Sequence, residues 1–167
     1  VKIAAVAGGF PAGQTPLFIK RDEVKYAADQ GANEIDIVIS RGKLIQGDYD
    51  EVTDELVVMR DAAKKCHLKV ILETCNLTDE EIARACQEAD RAGADFVKTS
   101  TGFASDGATV EAVQIMKANI SANVKIKASG GIRDLETVQK YIDLGVSRIG
   151  ASSGVAIMEG TASNSSY

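Results

Sequence analysis

The chain has 167 residues, 45% hydrophobic and 26% charged, enough for one domain with a sizeable core. Nineteen Lys and Arg against 24 Asp and Glu leave a net charge of −5. That balance gives no broad basic footprint for nucleic acid, though it leaves room for a local pocket for a small anion.

No apolar run approaches ~18 residues, and no secretory signal opens the chain, so neither a membrane span nor export is expected. The three cysteines, Cys66, Cys75 and Cys86, are an odd count without C-x-x-C spacing, which fits reduced thiols and a cytoplasmic setting. The single histidine, His67, argues against a His-based zinc site or a Ser-His-Asp triad. Cys66 and His67 do not form a dyad, because sequence neighbours point apart.

The first apolar run is "VKIAAVAG" (1–8), which already reads as a strand. Since it starts at Val1 and not Met, a larger source protein is expected. "GGFPAGQT" (8–15) follows as a Gly/Pro turn, then Val24, Ala27 and Ala28 at helical spacing. "EIDIVIS" (34–40) is the second strand and carries Asp36 between Ile35 and Ile37. Such a carboxylate either faces inward and needs a partner, or faces out toward a helix or solvent. The pattern leaves both open. Leu56, Met59 and Ala63 mark a helix, and "KVILETC" (69–75) the third strand, with Glu73 near its end.

"LTDEE" then places Thr78 before an acidic turn with Glu81 three residues on, a capping box. Ile82, Ala85, Cys86 and Ala89 continue that helix. The fourth strand, "DFVKTST" (95–101), holds Lys98 at its centre and runs into Gly102. Val110, Val113 and Met116 mark a helix, and "VKIKASGG" (124–131) is a strand with Lys125 and Lys127 on one face. Val138, Tyr141 and Ile142 lead to "RIGASS" (148–153), the sixth strand. Gly31, Gly93 and Gly145 each stand where a helix ends left-handed before a strand. One domain over 1–158 is expected, with a flexible polar tail over 159–167.

Strict β/α alternation implies a parallel sheet with covering helices. An open doubly wound sheet and a (β/α)8 barrel both alternate in this way. No G-x-G-x-x-G follows the first strand, and polar residues gather at the C-terminal ends of several strands, which favours the barrel. About six βα units are present where a full barrel has eight.

A lysine within a strand is most often an edge or solvent-face residue. Two lysine-bearing strands, each running into a Gly/Ser/Thr turn, point elsewhere. A free lysine titrates near ~10.4, and bringing it to about 7 takes roughly 4–5 kcal/mol. A second ammonium ~5 Å away supplies about 3 kcal/mol at an effective dielectric of ~20. Desolvation can supply the remainder, and the result is an amine able to form a Schiff base. "STG" (100–102), "SGGIRD" (129–134) and "GASSG" (150–154) are Gly-rich turns suited to a phosphate. A barrel isomerase would want a carboxylate or histidine base instead.

"DFVKTSTGF", "VKIKASGGIRD", "EIDIVIS", "GFPAGQT" and "RIGASSGVAI" together closely resemble the deoxyribose-phosphate aldolase family, from about Val1 to Met158. The resemblance implies a class I aldolase on a (β/α)8 barrel, using no metal or organic cofactor. Such enzymes reversibly cleave 2-deoxy-D-ribose 5-phosphate to acetaldehyde and D-glyceraldehyde 3-phosphate. By motif, Lys98 is the Schiff-base lysine, Lys127 the lysine that lowers its pKa, and Asp36 a member of a proton relay. Gly102, Gly130, Gly131, Ser152 and Ser153 are the implied phosphate cradle, with Thr101 and Tyr167 in auxiliary roles.

Three departures stand out. Phe103 occupies a position where some members carry a phosphate-binding lysine. Two βα units that begin other members are absent. Tyr167 ends a tail of low complexity. Six strands would leave two edges, so pairing with another copy is one expected way to close the sheet. A catalytically silent or partner-dependent sugar-phosphate-binding fragment is the competing expectation.

Overall fold

Short β-branched runs become strands where one face meets helices and the other turns inward. The computed structural model describes residues 1–160. Its strands are β1 (Ala4–Val6), β2 (Glu34–Val38), β3 (His67–Ile71), β4 (Phe96–Lys98), β5 (Lys125–Ser129) and β6 (Arg148–Gly150). Its helices are α1 (Leu17–Asp29), α2 (Arg41–Gln46), α3 (Tyr49–Ala63), α4 (Asp79–Arg91), α5 (Val110–Ala118), α6 (Leu135–Asp143) and α7 (Gly154–Met158). The tail expected over 159–167 lies, from residue 161 onward, outside the described residues, and so does Tyr167.

All six strands are parallel and neighbour one another in chain order, β1 to β6. A doubly wound sheet reverses its strand order at a switch point; this sheet never does. It also curls. Arg148 on β6 forms an ion pair with Glu34 on β2, four places along the sheet. A flat sheet would hold those strands about 19 Å apart at the usual strand spacing. The architecture is the barrel type, with β1 and β6 unpaired to each other among the described residues.

The strand period of two sorts side chains cleanly. Ile35, Ile37, Leu68, Val70, Val97, Ile126 and Ala128 point to the helices and join one apolar core with Val24, Leu56, Met59, Ile82, Cys86, Val113 and Met116. The alternate positions hold Glu34, Asp36, Lys69, Lys98 and Lys127, whose side chains meet inside the curl.

The capping box at α4 is present as expected. Thr78 accepts the Glu81 N–H, and the Glu81 carboxylate accepts the Thr78 N–H at 2.7 Å. Thr78→Ala should lose roughly 1 kcal/mol, read as a fall of about 2–4 °C in thermal melting. Gly31, Gly93 and Gly145 take the expected left-handed angles. Helices α2 and α7 go beyond the sequence reading. At six and five residues, neither is long enough to show a helical period. No helix of the described residues is long and apolar enough to cross a membrane.

Candidate active site

The interior charges form a stack. At the deeper level Glu34 pairs with Arg148 of β6 and, at 2.7 Å, with Lys69 of β3. Arg148 also lies over the Phe96 ring, 5.0 Å from its centre. Two residues nearer the mouth, Asp36 is only 3% exposed and serves three amines. Its Oδ1 accepts from Lys69 at 2.6 Å. Its Oδ2 accepts from Lys98 at 2.7 Å and from Lys127 at 3.4 Å.

Asp36 therefore faces inward, which its strand pattern had left open. Lys98 and Lys127 are direct cross-strand partners in the β4–β5 register. Because both contact one oxygen, their nitrogens lie within about 6 Å of each other, a range over which like charges act strongly on ionisation. Gly150 makes this possible. A Cβ there would stand 2.8 Å from the Ser129 Cβ and 3.3 Å from the Lys127 Cε. Only a bare backbone leaves Lys127 its channel.

The electrostatics follow from burial and count. Burial opposes ionisation of Asp36, but the ammonium groups of Lys98 and Lys127, with hydrogen bonds from Lys69 and Lys98, hold its carboxyl down at about 2. Burial likewise opposes ionisation of Glu34, and hydrogen bonds from Arg148 and Lys69 bring it to about 2. Lys127 moves the other way. Its burial, reinforced by Lys98 and Lys69, lowers its pKa against the opposing pull of Asp36. Four cations thus surround two carboxylates, an excess that favours releasing a proton or receiving an anion.

A cavity of about 340 Å³ opens above the two lysines. Lys98, Lys127, Thr101, Gly102, Gly130, Gly131 and Ser152 line it, as does Arg133. Ser153 sits buried one residue beyond Ser152, just before α7, and is not part of the wall. Gly130 turns left-handed at φ 85 and lies against the backbone of Gly107, where a Cβ would come within 2.8 Å of the Gly107 Cα. Phe103 is 76% exposed and meets Phe10 of the loop after β1 edge-on, 5.7 Å between ring centres. Among the described residues no cluster of His, Cys, Asp and Glu could hold a metal ion.

Sequence reading passed over Lys69, Glu34 and Arg148. Lys69 is wholly buried, and it divides Asp36 so that only one oxygen is left for the two mouth lysines. By the period of two Lys69 shares a face of β3 with Ile71, but as the first residue of an apolar run it reads as a strand margin.

The site is thus two strand lysines of an α/β barrel sharing one buried carboxylate below a Gly-lined mouth. Comparison with known proteins narrows this. The family model described as DeoC/LacD family aldolase matches residues 2–161, and the chain belongs to that family. It is 46% identical to a deoxyribose-phosphate aldolase of Streptococcus equi subsp. zooepidemicus over 167 residues, all of this chain and 76% of that protein. It is 47% identical to the enzyme of the same name from Carboxydothermus hydrogenoformans, over 100% of this chain and 75% of that one.

Among solved structures, one titled "QR15, an Aldolase" superposes with a TM-score of 0.90 at 44% identity, covering 95% of this chain and 72% of that one. A deoxyribose phosphate aldolase from Aeropyrum pernix, described as tetrameric, gives 0.85 at 33% identity, covering 95% and 67%. The chain spans about three quarters of the length of these curated relatives, and between 64% and 72% of three solved structures. No observation favours the silent-fragment alternative.

Proposed function

We propose that the chain acts as a deoxyribose-phosphate aldolase, reversibly cleaving 2-deoxy-D-ribose 5-phosphate to acetaldehyde and D-glyceraldehyde 3-phosphate. The observation that carries this is the contact of Lys98 and Lys127, from adjacent strands, with one Asp36 oxygen at the floor of the cavity. Membership of the aldolase family supports it.

Three ammonium groups crowd one carboxylate, and the crowding is relieved when one of them loses its proton. Neutral Lys98 then attacks the aldehyde carbon of the open-chain sugar. Water leaves and a protonated imine forms. That imine draws the electron pair as the bond between the second and third carbons breaks, and the C3 hydroxyl gives up its proton. D-Glyceraldehyde 3-phosphate departs. The enamine left on Lys98 gains a proton at carbon, and water releases acetaldehyde. Lys127, with its lowered pKa, and Asp36 move the protons. The phosphate lies against the Gly-rich turns, held by backbone N–H groups and hydroxyls. No step calls for a metal or an organic cofactor.

Assay of the chain for retro-aldol cleavage is the direct test; a folded sample that forms no aldehyde from the deoxysugar phosphate rules the reading out. Phe103 supplies a further prediction. Phe103→Lys adds a cation beside Gly102 at an exposed position, where a unit charge several ångströms from a phosphate gains less than about 1 kcal/mol. The KM for the phosphorylated sugar should fall about threefold at low salt and converge with the wild type at high salt. Titrations at two ionic strengths check this.

A further inference from the structure

The residue after β3 and Leu72 sits in a conformation its side chain does not favour. Glu73 has φ 58 and ψ 63, the left-handed region where a Cβ is crowded. Among the described residues the only other non-glycine with positive φ is Lys64, an exposed residue at the end of α3. Glu73 by contrast is 2% exposed. A strained, buried carboxylate persists where its surroundings dictate its position.

Those surroundings tie three loops together. Glu73 Oε1 accepts the Thr101 N–H at 3.0 Å, and Oε2 accepts the Thr101 hydroxyl at 2.5 Å. Arg41, at the start of α2, brings its Nη1 within 3.7 Å of Oε2. The Thr101 hydroxyl in turn accepts the Phe103 N–H at 3.0 Å. The Thr74 N–H donates to the Thr99 carbonyl at 2.9 Å, a second tie between the same two loops. Thr101 and Gly102 line the cavity; Glu73 does not. It acts on the wall from behind.

We propose that Glu73 is the positioning residue for the anion end of the cavity. Its carboxylate fixes both polar groups of Thr101, and with them the backbone of 101–103. The loop after β4 is thereby set before a phosphate arrives, which spares the ordering cost at binding. Lys98 precedes this loop but is held separately, by Asp36. Loss of Glu73 should therefore loosen the phosphate end and leave the amine end in place. The inference rests on the aldolase reading above and extends it to a residue outside the contact surface.

The experiment compares wild type, Glu73→Ala, Glu73→Gln and Thr101→Val. Each is assayed with 2-deoxyribose 5-phosphate and with unphosphorylated 2-deoxyribose, and titrated with inorganic phosphate by calorimetry. Glu73→Ala should raise the KM for the phosphorylated sugar about tenfold and weaken inorganic phosphate by a similar factor. Its kcat/KM for the unphosphorylated sugar should stay within about twofold of wild type. Glu73→Gln keeps an oxygen for the Thr101 N–H and should recover most of the phosphate affinity. Thr101→Val removes one of the two bonds and should fall between.

A carboxylate that only braces the fold would change both sugars alike, and that result overturns the proposal. Unchanged phosphate binding in Glu73→Ala also overturns it, and in Thr101→Val if the alanine variant does not fold. Wild-type phosphate binding without turnover would remove the aldolase reading, while the phosphate series would still decide the role of Glu73. Absence of phosphate binding by the wild type overturns the proposal outright.

Discussion

Lys98→Met, treated with acetaldehyde and borohydride, should carry no adduct, and its retro-aldol rate should fall at least about a thousandfold. Wild type under the same treatment should carry one ethyl group, mapped by mass spectrometry to Lys98. Methionine nearly matches the lysine stem in length and fills the same space without an amine. The fold should survive, because Asp36 keeps Lys69 at 2.6 Å and Lys127 at 3.4 Å. Removing one cation from a cluster with an excess of them leaves no carboxylate stranded. An adduct on Lys127 in the wild type, with Lys98 unlabelled, would reassign the nucleophile. Lys127 is the competing amine, because its pKa is lowered and it also lines the cavity.

Asp36→Asn should damage both stability and turnover. Three amines converge on a carboxylate that is 3% exposed. An amide cannot neutralise them, and breaking a buried ion pair from one side costs about 3–5 kcal/mol. Melting should fall by roughly 6–20 °C, and the rate by about a hundredfold or more as proton transfer is lost.

The pH dependence has a definite sign. The folded Asp36 carboxyl titrates at about 2, against an ordinary value of 3.8. A depressed carboxyl adds stability that is complete above about pH 4 and is lost as pH falls through 2. A shift of nearly two units is worth about 2.5 kcal/mol. The melting gap between wild type and Asp36→Asn should thus narrow from pH 5 toward pH 2. Glu34, also held at about 2, keeps part of the acid sensitivity in the variant. A gap constant across that range would place the stabilising charge elsewhere.

The class of fold was legible in the sequence, and so was the presence of lysines inside apolar strand runs. The reason is local. Strand runs alternate every second residue, helices every three to four, and lysines inside apolar runs violate the pattern visibly. Lys98 stood out in this way, and so did Lys125 and Lys127 together; the resemblance, not the period, chose Lys127. The Gly-rich turns did also, although their assignment to a phosphate came from resemblance.

Pairing was not legible. Which way Asp36 faces depends on the curl of the sheet, which brings β6 back toward β2 and encloses one set of faces. Lys69 begins an otherwise apolar run and reads as a strand margin; only its burial against Glu34 and Asp36 reveals it as the third amine. Glu73 looks like one more carboxylate near a strand end until Thr101 folds back onto it from 28 residues away. The chain alone therefore determined its elements, their order and its unusual amines, because those follow from neighbours a few positions apart. Tertiary structure alone decided which charges share a dry space, because contacts between strands depend on register and curvature that no local pattern encodes.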